Sequence, residues 1–311
     1  MPPAVATSDL TKRFHGVTAV HRLTFEVHAG EIFGLVGPDG AGKTTALRML
    51  AGVLSPDGGS ATVAGADIAR EPEAAKSRLS YMPQRFGLYE DLTVAENIRF
   101  YADVFGVSRT EREARSRQLL DAAGMSPFTT RLAGKLSGGM KQKLGLVCAL
   151  IHRPLVILLD EPTNGVDPVS RRDFWRILYS LLNEGIAILM STSYLDEAER
   201  CHRVALLHQG RMLYCETPAG LKKRLHGAVV SIVGHEARRI RTALGEAAGV
   251  LNILLVGDGV HLVVDDAARR IPELRAALQT AGLAFDRLEE VEPTIEDLFV
   301  AATSPTTGET A

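Results

Sequence analysis

Apolar and polar positions along the chain change period several times, and each change marks an element. Residues 9–36 read as strands: 17–20 and 23–27 are short β-favouring runs, and 31–36 runs into a glycine-rich turn. After that turn, 43–54 is predicted to be a helix, with Leu47, Leu50, Ala51 and Leu54 at helical spacing. Gly58 and Gly59 then turn the chain into a strand over 60–63. From about Gln84 to Leu136 the texture becomes helical. Thr93 with Glu96 fits a capping box, each side chain satisfying a free amide at a helix start, and 108–123 reads as a charged helix. Strand signals return at 155–159, 186–190 and 203–207. Strands alternating with helices predict an α/β layered domain with a largely parallel sheet, interrupted by a helical insert.

A second unit begins near Thr217. Its order is strand (228–233), helix (237–248), strand-turn-strand across 253–264 with Gly257-Asp258-Gly259 at the turn, helix (267–281), strand (284–291) and helix (294–302). That β-α-β-β-α-β order predicts a small α+β, ferredoxin-like domain. The basic run Lys222, Lys223, Arg224 at the junction reads as a solvated helix face. The expected organisation is an α/β domain over 5–225 with its helical subdomain at about 85–136, a C-terminal domain over 226–303, and a short polar, disordered tail over 304–311.

Composition narrows the function classes. Of 311 residues, 46% are hydrophobic and 23% charged, enough apolar material for a sizeable core. The formal net charge of -2 removes the electrostatic argument for nucleic acid or a polybasic membrane anchor. No run approaches the ~20 apolar residues of a spanning helix, and the first ten residues lack the basic-then-apolar pattern of a secretory signal. Cys148, Cys201 and Cys215 share no metal-ligand spacing and read as reduced thiols. Glycine is in excess, at 29 residues, and its clusters point to chemistry.

Three clusters carry that chemistry. Gly37, Pro38, Asp39, Gly40, Ala41, Gly42, Lys43, Thr44 and Thr45 fit G-x-x-x-x-G-K-[ST] after a strand and before a helix. The glycines let successive amides point at phosphate oxygens, Lys43 reaches the β- and γ-phosphates, and the Thr44 hydroxyl ligates Mg²⁺. The apolar strand ending at Asp160 and Glu161 supplies carboxylates at a rim: Asp160 to hold Mg²⁺, Glu161 to polarise an attacking water as general base. Ahead of it, Ser137 followed by Gly138 and Gly139 opens a helix with Met140, Leu144, Val147 and Ile151 on one face, so a hydroxyl, amides and a helix dipole are offered to an anion.

With these motifs in this order, residues 5–225 resemble the ATP-binding subunits of ABC transporters. The resemblance implies a Walker A loop at 37–45, a signature at Leu136, Ser137, Gly138, Gly139 and Met140, Walker B at 156–160 with Glu161 after it, and a D-loop at 164–167. It implies that Gln84, in Tyr-Met-Pro-Gln, contacts Mg²⁺ and senses a transmembrane partner, and that adenine stacks on Phe14. Residues 86–98 and 292–299 resemble the ABC-2 branch of drug, polysaccharide and lipid exporters. The implied partners are an ABC-2-type transmembrane permease and a second ATPase domain, each ATP lying between one Walker A and the other domain's signature. The implied location is cytoplasmic, on the inner face of the membrane through the permease. Phe86, Leu88 and Tyr89 are candidates either for the groove that holds a permease helix or for packing within the insert.

One position departs from the family pattern. After the next strand the family reads Ser-Thr-His, whereas this chain reads Met-Ser-Thr-Ser, with Ser193 at the switch position. A serine is shorter and carries neither the charge nor the proton of imidazole, and His202 and His208 lie too far along the chain to replace it. Two readings follow: an attenuated hydrolytic site paired with a competent one on a partner, which points to a heterodimer over a homodimer, or a site in which Glu161 suffices and a water fills the gap. The competing functions are a non-transport ABC ATPase, opposed by the single cassette and the net charge, and a mainly regulatory ATP-binding subunit.

Overall fold

A computed structural model of the chain describes residues 2–85 and 87–303. It divides into two units, Met1–Cys215 and Glu216–Ala311. The tail expected over 304–311, and Phe86, lie outside the described residues.

In the first unit the elements run β1 (Val5–Phe14), β2 (Val17–Val27), β3 (Ile32–Val36), α1 (Lys43–Leu50), β4 (Gly58–Val63), β5 (Ala66–Asp67), α2 (Pro72–Lys76) and β6 (Leu79–Met82). There follow α3 (Val94–Val104), α4 (Arg109–Ala122), α5 (Gly138–Leu150), β7 (Val156–Asp160), α6 (Pro168–Leu182), β8 (Ala187–Thr192), α7 (Leu195–Ala198), β9 (Arg203–His208) and β10 (Arg211–Glu216). A six-stranded sheet has the order β10-β9-β3-β8-β7-β6, and a four-stranded sheet the order β2-β1-β4-β5. Strands β3 and β7 are buried at every position, as expected of parallel strands covered on both faces. Between the sheets, Phe33, Leu35, Leu158 and Leu189 pack with Val5, Leu23, Leu47 and Leu50 in one core.

Parallel register sets the functional rim. Val36 pairs with Thr192 and Asp160 with Ser191, so the strands β3, β7 and β8 release their chains at one edge. Loops leaving the carboxyl ends of neighbouring parallel strands converge there, where open α/β sheets bind ligands.

The helical segment is built on capped starts. Thr93 and Glu96 form the capping box of α3, Ser108 and Glu111 that of α4, and Ser137 accepts the Met140 amide at the start of α5. Buried Asn97 on α3 donates to the Tyr89, Leu92 and Thr93 carbonyls and accepts from the Tyr89 amide, fixing the loop ahead of the helix.

The structure corrects several boundaries. The runs over 17–20 and 23–27 are one strand, because both pair with β1, and the register shifts across Arg22, whose φ is 50°. Strand β1 starts at Val5 rather than near residue 9. Helix α1 stops at Leu50, ahead of Gly52 at φ 64°. Strand β6, at the sheet edge, and strand β10 lie in segments where four to six residues of mixed polarity carry no clear period.

The second unit contains α8 (Pro218–Lys222), β11 (Ala228–Val233), α9 (Ala237–Leu244), β12 (Val250–Val256), β13 (Gly259–Val264), α10 (Ala267–Thr280), β14 (Arg287–Val291) and α11 (Ile295–Thr303). It starts at Glu216, beside Thr217, and its first helix α8 packs on α11. The sheet order is β12-β13-β11-β14 with antiparallel neighbours, and Val230, Ile232, Leu262, Ile240, Leu274 and Leu278 form its core.

Candidate functional site

The glycine loop between β3 and α1 is shaped by close backbone approaches. A Cβ on Gly37 would lie 2.2 Å from the Leu207 carbonyl oxygen, and one on Gly42, at φ 99°, would lie 2.4 Å from the Ala19 carbonyl oxygen. No other residue type fits either place, so the loop curls tightly enough to start α1 at Lys43. The Lys43 ammonium is 4% exposed. It donates to the Gly37 carbonyl at 2.8 Å and the Pro38 carbonyl at 3.1 Å, and pairs with Glu161 Oε1 at 3.1 Å.

Asp160 closes the floor of the cleft. Its Oδ1 accepts from the Thr44 hydroxyl at 2.9 Å and the Ser191 hydroxyl at 2.7 Å, and its Oδ2 from the Tyr81 phenol at 3.3 Å. Burial, and then the neighbouring Asp160 charge, push the Tyr81 phenol up to about 12, so it stays a donor at neutral pH. Glu161 collects four donors. Its Oε1 accepts from Lys43 and, at 3.3 Å, from the Ser193 hydroxyl; its Oε2 accepts from Gln84 Nε2 and Asn164 Nδ2, each at 3.2 Å. Its backbone sits at φ 47°, a left-handed value that costs a residue with a Cβ about 1–3 kcal/mol and persists where the surroundings over-determine it.

Lys43, Thr44, Gln84, Glu161, Asn164 and Ser193 face one cleft of about 660 Å³, walled also by Asp39 to Gly42, Thr45, Tyr194, Ala19 and Phe14, while Asp160 is buried behind Thr44. Phe14 is 41% exposed, which leaves ring surface open to a flat ligand, while the Lys12 ammonium lies 5.5 Å from its centroid. The structure therefore brings together Phe14, the glycine loop, Gln84, Asp160, Glu161 and Ser193. Neither His202 nor His208 lines the cleft, and His202 Nδ1 accepts the Ile32 amide at the opposite end of β3.

The donor set suits Mg²⁺. A hydroxyl (Thr44) and a carboxylate (Asp160) already touch at the cleft floor, and Gln84 spends its amide nitrogen on Glu161, keeping its carbonyl oxygen for other use. These are hard oxygen ligands of the number that a phosphate-bridging Mg²⁺ takes from protein. Among the described residues no group of three His, Cys, Asp or Glu side chains forms an all-protein metal site.

The glycine-rich start of α5 stands apart from this cleft. Ser137 and Gly138 are exposed, Leu136 and Gly139 are buried, and Met140 is half-buried. A Cβ on Gly139 would lie 2.4 Å from Ser170 Cβ, so the glycine lets α5 pack on α6. Asp167 caps α6 by accepting the Val169 and Ser170 amides, and the Ser170 amide chiefly holds its carboxyl below the usual range.

Several residues here had no signal in a single sequence. Ser191, Tyr81 and Tyr194 look like ordinary strand and loop positions until the register is known. Glu197 is fully buried and accepts from Thr163 Oγ1 at 2.7 Å, Thr192 Oγ1 at 2.8 Å, Arg171 Nε at 2.7 Å and Trp175 Nε1 at 3.3 Å. One carboxylate thereby ties the loop after Glu161 to the end of β8. On the helical segment, Leu88 is half-buried, and Tyr89, 47% exposed, meets Phe100 edge-on at 4.6 Å.

Comparison with known proteins places these features in context. Residues 20–164 match the ABC transporter family model. The chain is 47% identical over 306 residues to a probable multidrug ABC transporter ATP-binding protein of Escherichia coli; the match covers 96% of this chain but 52% of that protein. The chain thus spans about half the length of this relative. It is 33% identical over 312 residues to a daunorubicin resistance ATP-binding protein of Streptomyces coeruleorubidus, covering 99% of this chain and 97% of that protein. A solved ATP-binding subunit of an ABC transporter superposes with a TM-score of 0.65 at 31% identity, covering 71% of this chain and 92% of the other.

Proposed function

Because the chain belongs to the ATP-binding proteins of ABC transporters, we propose that it is the ATPase of an ABC-2-type exporter, hydrolysing ATP at a site shared with a second cassette. One observation carries the reading. The cleft gathers cation, carboxylates and glycine loop, while the exposed Ser137 and Gly138 lie outside its lining, open to serve as half of another site. Two cassettes are needed to bring both halves onto one nucleotide.

In this reading Phe14 stacks the base and the loop from Gly37 to Thr45 wraps the phosphates. Lys43 is held at the floor by two carbonyls and offers its charge to the terminal phosphates. Mg²⁺, when bound, would supply neutralisation of the phosphate charge. Thr44, Asp160 and Gln84 are the residues that hold it. Glu161, oriented by Gln84 and Asn164, orients the attacking water and takes its proton. Ser193 can donate one weak hydrogen bond there but supplies no cationic group, so this half-site turns over slowly. A partner cassette with a competent site, made complete by Ser137 to Gly139, gives the pair its rate, which favours a heterodimer. The relative of about twice this length is consistent with two such halves in one polypeptide.

Export is supported by relatives named for multidrug transport and daunorubicin resistance. No helix among the described residues is long and apolar enough to cross a membrane; the partner proposed here is a permease that supplies the path, with the cassette at its cytoplasmic face. Tyr89, Leu88 and Phe100 are the surface proposed to receive it. The second unit, with its β-α-β-β-α-β order, is read as a ferredoxin-like domain.

The test uses Gly138→Asp. A Cβ there meets nothing within 4 Å, so folding should be unaffected. Co-expressed with its permease and partner cassette, the variant is expected to assemble and to lose at least tenfold of the ATPase activity, since a carboxylate is placed beside an anion-facing amide. Unchanged activity in the assembled complex would refute the shared site. Failure to co-purify with any permease would refute the exporter role.

A further inference from the structure

Strand β8 ends in Ser191-Thr192, Ser193 follows directly, and the hydroxyls of Ser191 and Ser193 turn to one face. That face meets the end of β7, where the register sets Asp160 beside Ser191. The two hydroxyls divide the two carboxylates. Ser191 Oγ donates to Asp160 Oδ1 at 2.7 Å, and Ser193 Oγ donates to Glu161 Oε1 at 3.3 Å. Ser191 also acts on Glu161: its Oγ accepts the Glu161 amide at 2.9 Å, and its carbonyl oxygen lies 3.2 Å from the same nitrogen. Ser191 is 0% exposed, so water does not compete for these bonds.

We propose that Ser191 is a positioning residue for ATP hydrolysis, whose one hydroxyl fixes the Mg²⁺-holding carboxylate and the water-activating carboxylate relative to each other. The proposal rests on the reading of the cleft as a Mg-ATP hydrolytic site. The single hydroxyl hydrogen goes to Asp160, which leaves Oδ2 as the oxygen with the fewer strong donors. A lone pair takes the amide of Glu161, whose φ of 47° is the backbone turn that throws its carboxylate back toward Lys43. An alanine at 191 leaves Asp160 Oδ1 to Thr44, and leaves the Glu161 amide its longer bond to the carbonyl. Both carboxylates then gain freedom, while the glycine loop, Lys43 and Phe14 keep their contacts. Nucleotide affinity and turnover should separate for that reason.

The experiment compares Ser191→Ala, Ser191→Thr and Ser191→Cys with wild type in the full chain. Ser191→Ala is expected to lower kcat about tenfold with KM for ATP within about twofold, as loss of one buried hydrogen bond to a charged group implies. The Mg²⁺ concentration that half-maximally tightens binding of a fluorescent ATP analogue should rise about three- to tenfold, a readout independent of turnover. Ser191→Thr keeps the hydroxyl and should recover both quantities to within about threefold. If the added methyl group prevents folding, Ser191→Cys, close in size and a weak donor, decides: it should fold like wild type and keep the alanine defect. Wild-type kcat and Mg²⁺ dependence in Ser191→Ala, or a lowered Tm as its sole change, would overturn the proposal. Wild type that releases no phosphate even with its partner cassette present would overturn the hydrolytic reading instead, and the Mg²⁺ titration would still judge Ser191.

Discussion

Ser193→His is expected to speed ATP hydrolysis by the isolated chain about 10- to 100-fold. The present contact is weak: the Ser193 hydroxyl lies 3.3 Å from Glu161 Oε1 on a half-buried wall of the cleft. Losing a bond of that length and exposure costs at most about 1 kcal/mol. The imidazole reaches into a cleft of about 660 Å³ and displaces no core side chain. One well-placed donor to developing charge on a transferred group contributes about 2.7–4 kcal/mol to the rate. The difference, about 1.7–3 kcal/mol, is about one to two factors of ten at about 1.4 kcal/mol each, the predicted range. The assay is phosphate release at saturating Mg-ATP, with Ser193→Ala as reference and a pH profile for each form. The histidine form should add an inflection near pH ~6.5 that the other two lack. If Ser193→His is no faster than Ser193→Ala, the serine is not what limits this site, and the case for an attenuated half-site fails.

Two further predictions concern the supports of the site. Glu197→Gln keeps the shape of the side chain but removes the charge that faces Arg171, so unfolding should be easier by about 3 kcal/mol, measured by denaturant titration of the chain. The same change should loosen Thr163 and Thr192 and reduce turnover even where the protein is folded. Tyr81 carries a pKa raised from 10.0 to about 12, so its neutral form contributes stability that is complete below pH 10 and lost as pH rises through 12. Tyr81→Phe should therefore show less loss of stability than wild type between pH 10 and 12, read from Tm against pH.

Much of this arrangement was legible in the chain itself, for physical reasons that differ by region. The glycine loop was visible because Gly37 and Gly42 occupy places where a Cβ would strike a carbonyl oxygen, a demand that no other residue type meets. The helix starts at Thr93, Ser108 and Ser137 were legible, or nearly so, because caps act within three residues. The elements lost were those defined by distant partners. Strand β6 owes its place to pairing with β7, and the continuity of β2 through Arg22 to pairing with β1. Ser191 and Glu197 belong to this second kind: their roles depend on which strand lies beside which, and a single sequence does not contain that. Ser193 was conspicuous as a departure, yet its hydrogen bond to Glu161 emerged with the register.

Glu161→Gln tests the central claim most directly, because it replaces one oxygen of the proposed water-activating carboxylate by an amide within the same four-donor setting. Binding of a fluorescent ATP analogue and release of phosphate are measured on the same preparation. The account predicts affinity within about threefold of wild type and phosphate release at least 100-fold slower, the loss expected when a general base is removed. Phosphate release at the wild-type rate would contradict it.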